Sequence, residues 1–197
     1  IRLLGGAHAN VIVSSTLTAD GMRASGGTIQ VTGDTVSLLS ATLSAKGGQT
    51  GGTVNLGGQW QGSGELAWAG SVLVDGGSRV DASAVLGKGG SISVWSTRAS
   101  TMLGSLDVGG APGQGGAIEV SSQGALQTGG SINTGTGGLL LFDPKDITIT
   151  SDTAPTVGTL GNGITAVSPT STNSPSNEQA LNAVDANANT KYLNFDK

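Results

Sequence analysis

Along the first 150 residues, aliphatic side chains alternate with small polar ones in short bursts, and each burst follows a pair of glycines. Four copies share the pattern Gly-Gly-small-β-x-β. They are Gly26-Gly27-Thr28-Ile29-Gln30-Val31, Gly51-Gly52-Thr53-Val54-Asn55-Leu56, Gly89-Gly90-Ser91-Ile92-Ser93-Val94 and Gly115-Gly116-Ala117-Ile118-Glu119-Val120. Their first glycines lie 25, 38 and 26 residues apart. A second apolar burst precedes each copy, at Leu17-Thr18-Ala19, Leu43-Ser44-Ala45, Val80-Asp81-Ala82 and Leu106-Asp107-Val108, with spacings of 26, 37 and 26. Two independent bursts in one register define a repeat of about 25 residues, the signature of a solenoid. The two-residue alternation within each burst predicts strands, with Ile29 and Val31 on one face and Thr28 and Gln30 on the other. The glycine pairs predict the corners, through the positive φ that glycine tolerates.

No 3.6-residue period intervenes, so helical crossovers are excluded and each coil connects parallel strands by itself. Such connections are right-handed. The expected fold is therefore an all-β, right-handed parallel β-helix with three short strands per coil. At roughly 4.8 Å per coil, about six coils make a rod near 30 Å long. The 38-residue interval exceeds one coil, and the excess falls around residues 58–74, including Trp60, Glu65 and Trp68. It reads as an insertion leaving the rod, with a wider coil as the alternative.

Composition supports order over disorder in this region. The chain has 35 Gly and 5 Pro, yet only 11% of its residues are charged and 36% are hydrophobic, whereas disordered chains combine high charge with low hydrophobicity. Aromatics at 3% are too few for a bulky globular core and sufficient for a thin solenoid interior. Cysteine is absent, which suits a fold stabilised by stacking and leaves the compartment open. Nine Lys and Arg against 13 Asp and Glu, with no clustered positive stripe, argue against a nucleic-acid partner. No run of 18 apolar residues offers a membrane span. Ile1 reads as the start of a piece cut from a longer chain, so a missing leader says nothing about destination.

The Gly-Gly-x-Ile-x-Val repeats resemble the β-helical shafts of filamentous-haemagglutinin-like exoproteins of the two-partner secretion system. So does Gly137-Gly138-Leu139-Leu140-Leu141-Phe142-Asp143-Pro144-Lys145-Asp146-Ile147-Thr148-Ile149, and the resemblance covers about residues 10–150. It implies a secreted adhesin of a Gram-negative surface or extracellular matrix, exported by an outer-membrane partner barrel. Host or neighbouring-cell glycans and surface proteins would be its targets. The family's amino-terminal secretion domain is expected to lie outside this chain.

After Thr150 the composition shifts. Residues 151–177, with Pro155, Pro169 and Pro175 among many Ser, Thr and Asn, read as a linker with one strand at 163–167. Residues 178–197 are similar to the opening of a discoidin-like (coagulation factor 5/8 type C) galactose-binding module. That resemblance implies calcium ligands at Asp185 and Thr190, oxygen donors of the kind a hard cation takes. Ala186 and Tyr192 depart from its pattern, where Gly and Trp are usual, and the alternative is an Asn-rich loop after a short helix at 178–184.

Candidate chemistry is sparse. Asp81 and Asp107 occupy equivalent outward positions one coil apart, about the 5 Å that separates the carboxyls of retaining glycosidases. Arg79 shares their face, and a surface charge ladder is the competing account to a catalytic or calcium-bridged pair. His8, the sole histidine, has no motif that would make a triad or a metal site. Gly109 to Gly116 lacks the Lys-Ser/Thr ending of a phosphate loop. Thr148 and Thr150 form a single Thr-x-Thr unit, too little for an ice-binding array. Trp60, Trp68 and Trp95 are the candidate sugar-stacking surface, weighed against packing beneath the insertion.

No catalytic residue and no required cofactor emerge. The resulting expectation is a non-enzymatic adhesive stalk, with end-to-end assembly into filaments through unpaired strand edges. A β-helical polysaccharide-active enzyme and a calcium-dependent glycan-binding protein are the alternatives.

Overall fold

A computed structural model of the chain describes residues 1–145, which belong to a unit spanning Ile1–Thr148. It is a right-handed parallel β-helix of about 6 turns, and all the strand pairs of this unit are parallel. Fifteen strands among the described residues fall on three faces. The first face holds β1 (Arg2–Leu4), β4 (Thr28–Thr32), β7 (Thr53–Leu56), the first half of β10 (Ser91–Met102), β12 (Ala117–Ser122) and β15 (Leu139–Pro144). The second holds β2 (Asn10–Val13), β5 (Thr35–Leu38), β8 (Ala69–Val74), the second half of β10 and β13 (Ala125–Thr128). The third is a separate sheet of β3 (Thr16–Thr18), β6 (Thr42–Ser44), β9 (Arg79–Asp81), β11 (Ser105–Asp107) and β14 (Ser131–Asn133). Strand β10 turns the corner between the first two faces without a break, and its pairing with β8 shifts register between Ser96 and Ala99. That bulge bends the strand and merges two faces into one sheet.

The apolar bursts stack in columns because each coil repeats its neighbour's alternation. Ile29, Val54, Ile92, Ile118 and Leu140 lie over one another, and beside them Val31, Leu56, Val94, Val120 and Phe142. On the third face Leu17, Leu43, Val80, Leu106 and Ile132 do the same. The middle members of these columns are buried at 0–1% exposure. Parallel stacking of identical coils sets like beside like, so a narrow interior closes without aromatic residues. Ser96, Ser100 and Ser122 depart from this, buried and joined through their hydroxyls. Ser100 stands in the column of Val36 and Val72, and its hydroxyl is satisfied by the Ser121 carbonyl at 2.8 Å.

The glycine pairs work differently from the sequence expectation. Positive φ occurs at Gly57, Gly62, Gly64, Gly113, Gly130, Gly135 and Gly137, and at none of the eight paired glycines. What the pairs supply is room. A Cβ on Gly26 would run into the Ala45 carbonyl of the next coil, on Gly51 into that of Ala82, and on Gly89 into that of Val108. Successive corners approach so closely that no side chain fits between them.

The extra residues of the third coil leave the rod after Leu56 and return at Ala69. The expected range of 58–74 runs too far, since Ala69–Val74 is β8, paired in register with both β5 and β10. The alternation Ala69-Gly-Ser-Val-Leu-Val already marks it as a strand, with Val72 and Val74 inward.

Candidate functional site

The insertion folds back over the outer side of the first face. Its base closes by the hydrogen bond from Ala69 N to the Gly57 carbonyl at 2.6 Å, and its tip is a single 3-10 turn, Trp60–Gly62. Inside the loop, Gln59 Oε1 accepts from Leu66 N at 3.1 Å and Trp68 Nε1 donates to the Gly62 carbonyl at 3.0 Å. Beneath it lies Trp95, which strand parity points outward from the rod. The Trp68 and Trp95 rings sit 4.8 Å apart, tilted by 45°. Gly58 and Gly62 lie flat against the Trp95 ring, where a Cβ would come within 3.0 and 2.8 Å of it. Trp95 is therefore only 6% exposed. Its indole face anchors the insertion and is closed to a sugar.

A second anchor is electrostatic. Glu119 points outward by strand alternation, in register with Asn55 and Ser93 through β7, β10 and β12, yet its exposure is 0%. The insertion covers it. Gln61 N donates to Glu119 Oε2 at 2.7 Å, Ser93 Oγ to the same oxygen at 3.2 Å, and Ser121 Oγ to Oε1 at 2.7 Å. No cation pairs with it among the described residues; three neutral donors hold the buried carboxylate. Gln61 adopts φ 53° to present its N–H, a backbone region that L-residues enter rarely.

Between the insertion and the strands it overhangs runs a groove of about 410 Å³, lined by Asn55, Gln59, Trp60, Ser63, Ser91 and Ser93 among others. None of its lining residues is charged. Of the three tryptophans considered for glycan contact, Trp60 lines this groove, Trp68 is half exposed and outside its lining, and Trp95 is buried. Sequence reasoning missed Asn55, Gln61 and Glu119. The one signal available was that Asn55 and Glu119 are outward positions of the coils beside the insertion.

The carboxylate pair on the third face resolves as a structural ladder. Asp81 and Asp107 are in direct register, and Arg79 Nη2 bridges them, at 2.7 Å from Asp81 Oδ2 and 3.3 Å from Asp107 Oδ2. Lys46 Nζ approaches Asp81 at 3.8 Å. Asp81 does not face open solvent as expected: it is 3% exposed, with Arg79 and Lys46 beside it. Each carboxylate also turns the chain into the following corner. Asp81 Oδ1 accepts from Ser83 N at 3.0 Å, and Asp107 Oδ1 from Gly109 N at 2.9 Å. Asn133 repeats this one coil later with Gly135 N at 3.0 Å, so the position is an Asx-turn in three successive coils. Burial alone would raise the Asp81 carboxyl, but hydrogen bonds from Ser83 and Arg79 outweigh it and hold the group below the ordinary aspartate range.

His8 is exposed on a turn, and no group of three His, Cys, Asp or Glu able to hold a metal occurs among the described residues. The Gly109–Gly116 stretch is a corner leading into strand β12. Asp185, Thr190, Thr148 and Thr150 lie outside the described residues, as do the linker and the discoidin-like segment.

An all-β rod of stacked coils, with one loop folded over a polar face, defines a parallel β-helix protein. No protein-family model matches the chain, and no curated protein matches it, so the discoidin-like resemblance finds no support. Among solved structures it is similar to the HMW1 secretion domain from Haemophilus influenzae, with a TM-score of 0.59 and 24% identity over 71% of this chain. The chain spans 42% of the length of that structure. The likeness is one of fold.

Proposed function

We propose that this chain is part of a secreted, non-enzymatic bacterial surface rod of the two-partner type, which carries adhesive contacts away from the cell. The observation that supports it most is the stack of near-identical coils sealed by aliphatic columns, in the same fold as a solved secretion domain. Export as an unfolded chain suits this architecture. Each coil contacts only its neighbours, so folding propagates from coil to coil once the first ones form. Asp81 and Asp107, the one carboxylate pair among the described residues spaced as a retaining hydrolase would need, are tied to Arg79 and to their own corners, which favours a stalk over a hydrolase.

The test joins the full chain to a secretory leader in a Gram-negative host, with and without a co-expressed outer-membrane barrel of the two-partner type. Protease-accessible chain on the cell surface, only when the barrel is present, is the expected result. Retention in the periplasm under both conditions overturns the reading. Adherence of the displaying cells to a host-cell monolayer then measures the adhesive part. End-to-end filament assembly is the finer form of this proposal, and a single monomeric species at all concentrations in sedimentation would remove it.

A further inference from the structure

We infer that the groove beneath the insertion is a binding site for a neutral saccharide, held by Asn55, Gln59 and Trp60 with the hydroxyls of Ser91 and Ser93. The inference deepens the adhesive reading above and rests on it for its biological setting. Four observations carry it. The groove, at about 410 Å³, falls within the roughly 300–1,000 Å³ typical of small-ligand sites. Its lining combines one large aromatic side chain with amides and hydroxyls, the pairing that suits a ring with an apolar face and a hydroxylated rim.

The third observation is Asn55. Its residue is only 6% exposed and it lines the groove, yet its side-chain amide makes no hydrogen bond to any described residue. A buried amide without a partner is rare enough to require a reason. A ligand with adjacent hydroxyls provides one, since the amide offers both a donor and an acceptor. The neighbouring polar groups are already engaged elsewhere, Ser91 Oγ with Thr53 at 3.2 Å and Ser93 Oγ with Glu119 at 3.2 Å, and each retains capacity for one more bond.

The fourth is what the groove lacks. No cation lines it, so an anionic ligand such as a phosphate or a sulfated glycan has no counter-charge. A peptide adding as a β-strand needs a free edge, but β7 is paired on both sides, by β4 and β10. The insertion itself is fixed over the groove by Glu119 and Trp95, so the site is held ready in the free protein, which lowers the ordering cost of binding.

The experiment applies the full chain to an array of neutral and acidic glycans and follows hits by NMR, reading the Asn55 side-chain amide and the Trp60 indole N–H. Binding to neutral glycans is expected, with both resonances shifted. Asn55→Ala and Trp60→Ala are each expected to weaken it about tenfold, the worth of one buried hydrogen-bonded or stacked group, while Leu86→Ala, exposed and outside the groove lining, leaves it unchanged. The far-ultraviolet spectrum confirms that each variant folds, and Trp60→Ala, a loop substitution, serves if Asn55→Ala does not. No binding, binding to acidic glycans alone, or binding that survives both groove substitutions overturns the site. Failure of the adhesin reading is distinguishable: cells that do not adhere although the purified chain binds its glycan refute adhesion and leave the groove assignment standing.

Discussion

Glu119 carries the most information of any single residue, because its surroundings reverse what its position implies. A glutamate on the outward face of a strand belongs in water, and here the loop from two coils earlier removes it from water and supplies a backbone donor in exchange. Truncation to alanine would strand the Gln61 N–H and two serine hydroxyls beneath the loop. We expect Glu119→Ala to destabilise the rod by about 1–3 kcal/mol, read as a shift in urea midpoint at constant slope. Glu119→Gln, which keeps the shape and an acceptor, should cost less. Asp81 gives a pH signature. Its carboxyl titrates lower in the folded rod than in the unfolded chain, so its contribution is present above the unfolded value of about 3.9 and is lost as pH falls through the folded value. Thermal melts at successively lower pH should fall more steeply below about pH 4 for the natural chain than for Asp81→Asn. Equal slopes would show that Arg79 and Ser83 do not hold the charge.

At the scale of elements, the corners and the insertion follow different rules. A corner is a place where backbone meets backbone across coils, so a methyl group there must displace a carbonyl. Gly89→Ala, whose Cβ would strike the Val108 carbonyl and crowd Gly116, should lower stability by about 1–3 kcal/mol, the usual cost of overpacking. Gly6→Ala, with nothing within 4 Å of its Cβ, should stay within about 0.5 kcal/mol. Chemical denaturation of the two variants separates crowding from a general dislike of losing glycine. The insertion, in contrast, is held by side chains. Deleting residues 58–68, so that Gly57-Ala69-Gly70 leads into Ser71 as Thr32-Gly33-Asp34 leads into Thr35, should leave the coils intact, since β8 pairs on both sides independently of the loop. It would uncover Trp95, and a red shift of tryptophan emission at unchanged far-ultraviolet signal is the expected record.

Across the whole rod, stability is the sum of neighbouring coils, so the cost of a substitution depends on how many neighbours a column position has. Ile92 lies between Val54 and Ile118 and is fully buried. Ile92→Ala should cost about 2–5 kcal/mol. Leu3, on the first coil, touches the column from one side through Val31 and is only half-buried, so Leu3→Ala should cost clearly less. Similar losses at both positions would mean that the interior is one cooperative globule and not a stack.

The coil length, the inward columns and the three-faced fold were all legible in the repeat, because every coil needs the same residues at the same places and strand alternation is a local property. The closure of Asp81 and Asp107 around Arg79 was legible for the same reason: equivalent positions in adjacent coils must meet. The role of the paired glycines was misread as positive φ, since a collision with the Ala45 or Ala82 carbonyl exists only once coils are stacked at their true spacing. The insertion's reach was hidden too. Nothing near Glu119 in the chain announces that residues 58 positions earlier will cover it, and nothing near Asn55 shows that its amide will end in a groove. Repetition thus settles what each coil does alone and against its copies. Where the repeat is broken, the residue that matters is chosen by which surface the extra loop lands on, and only the assembled tertiary structure decides that.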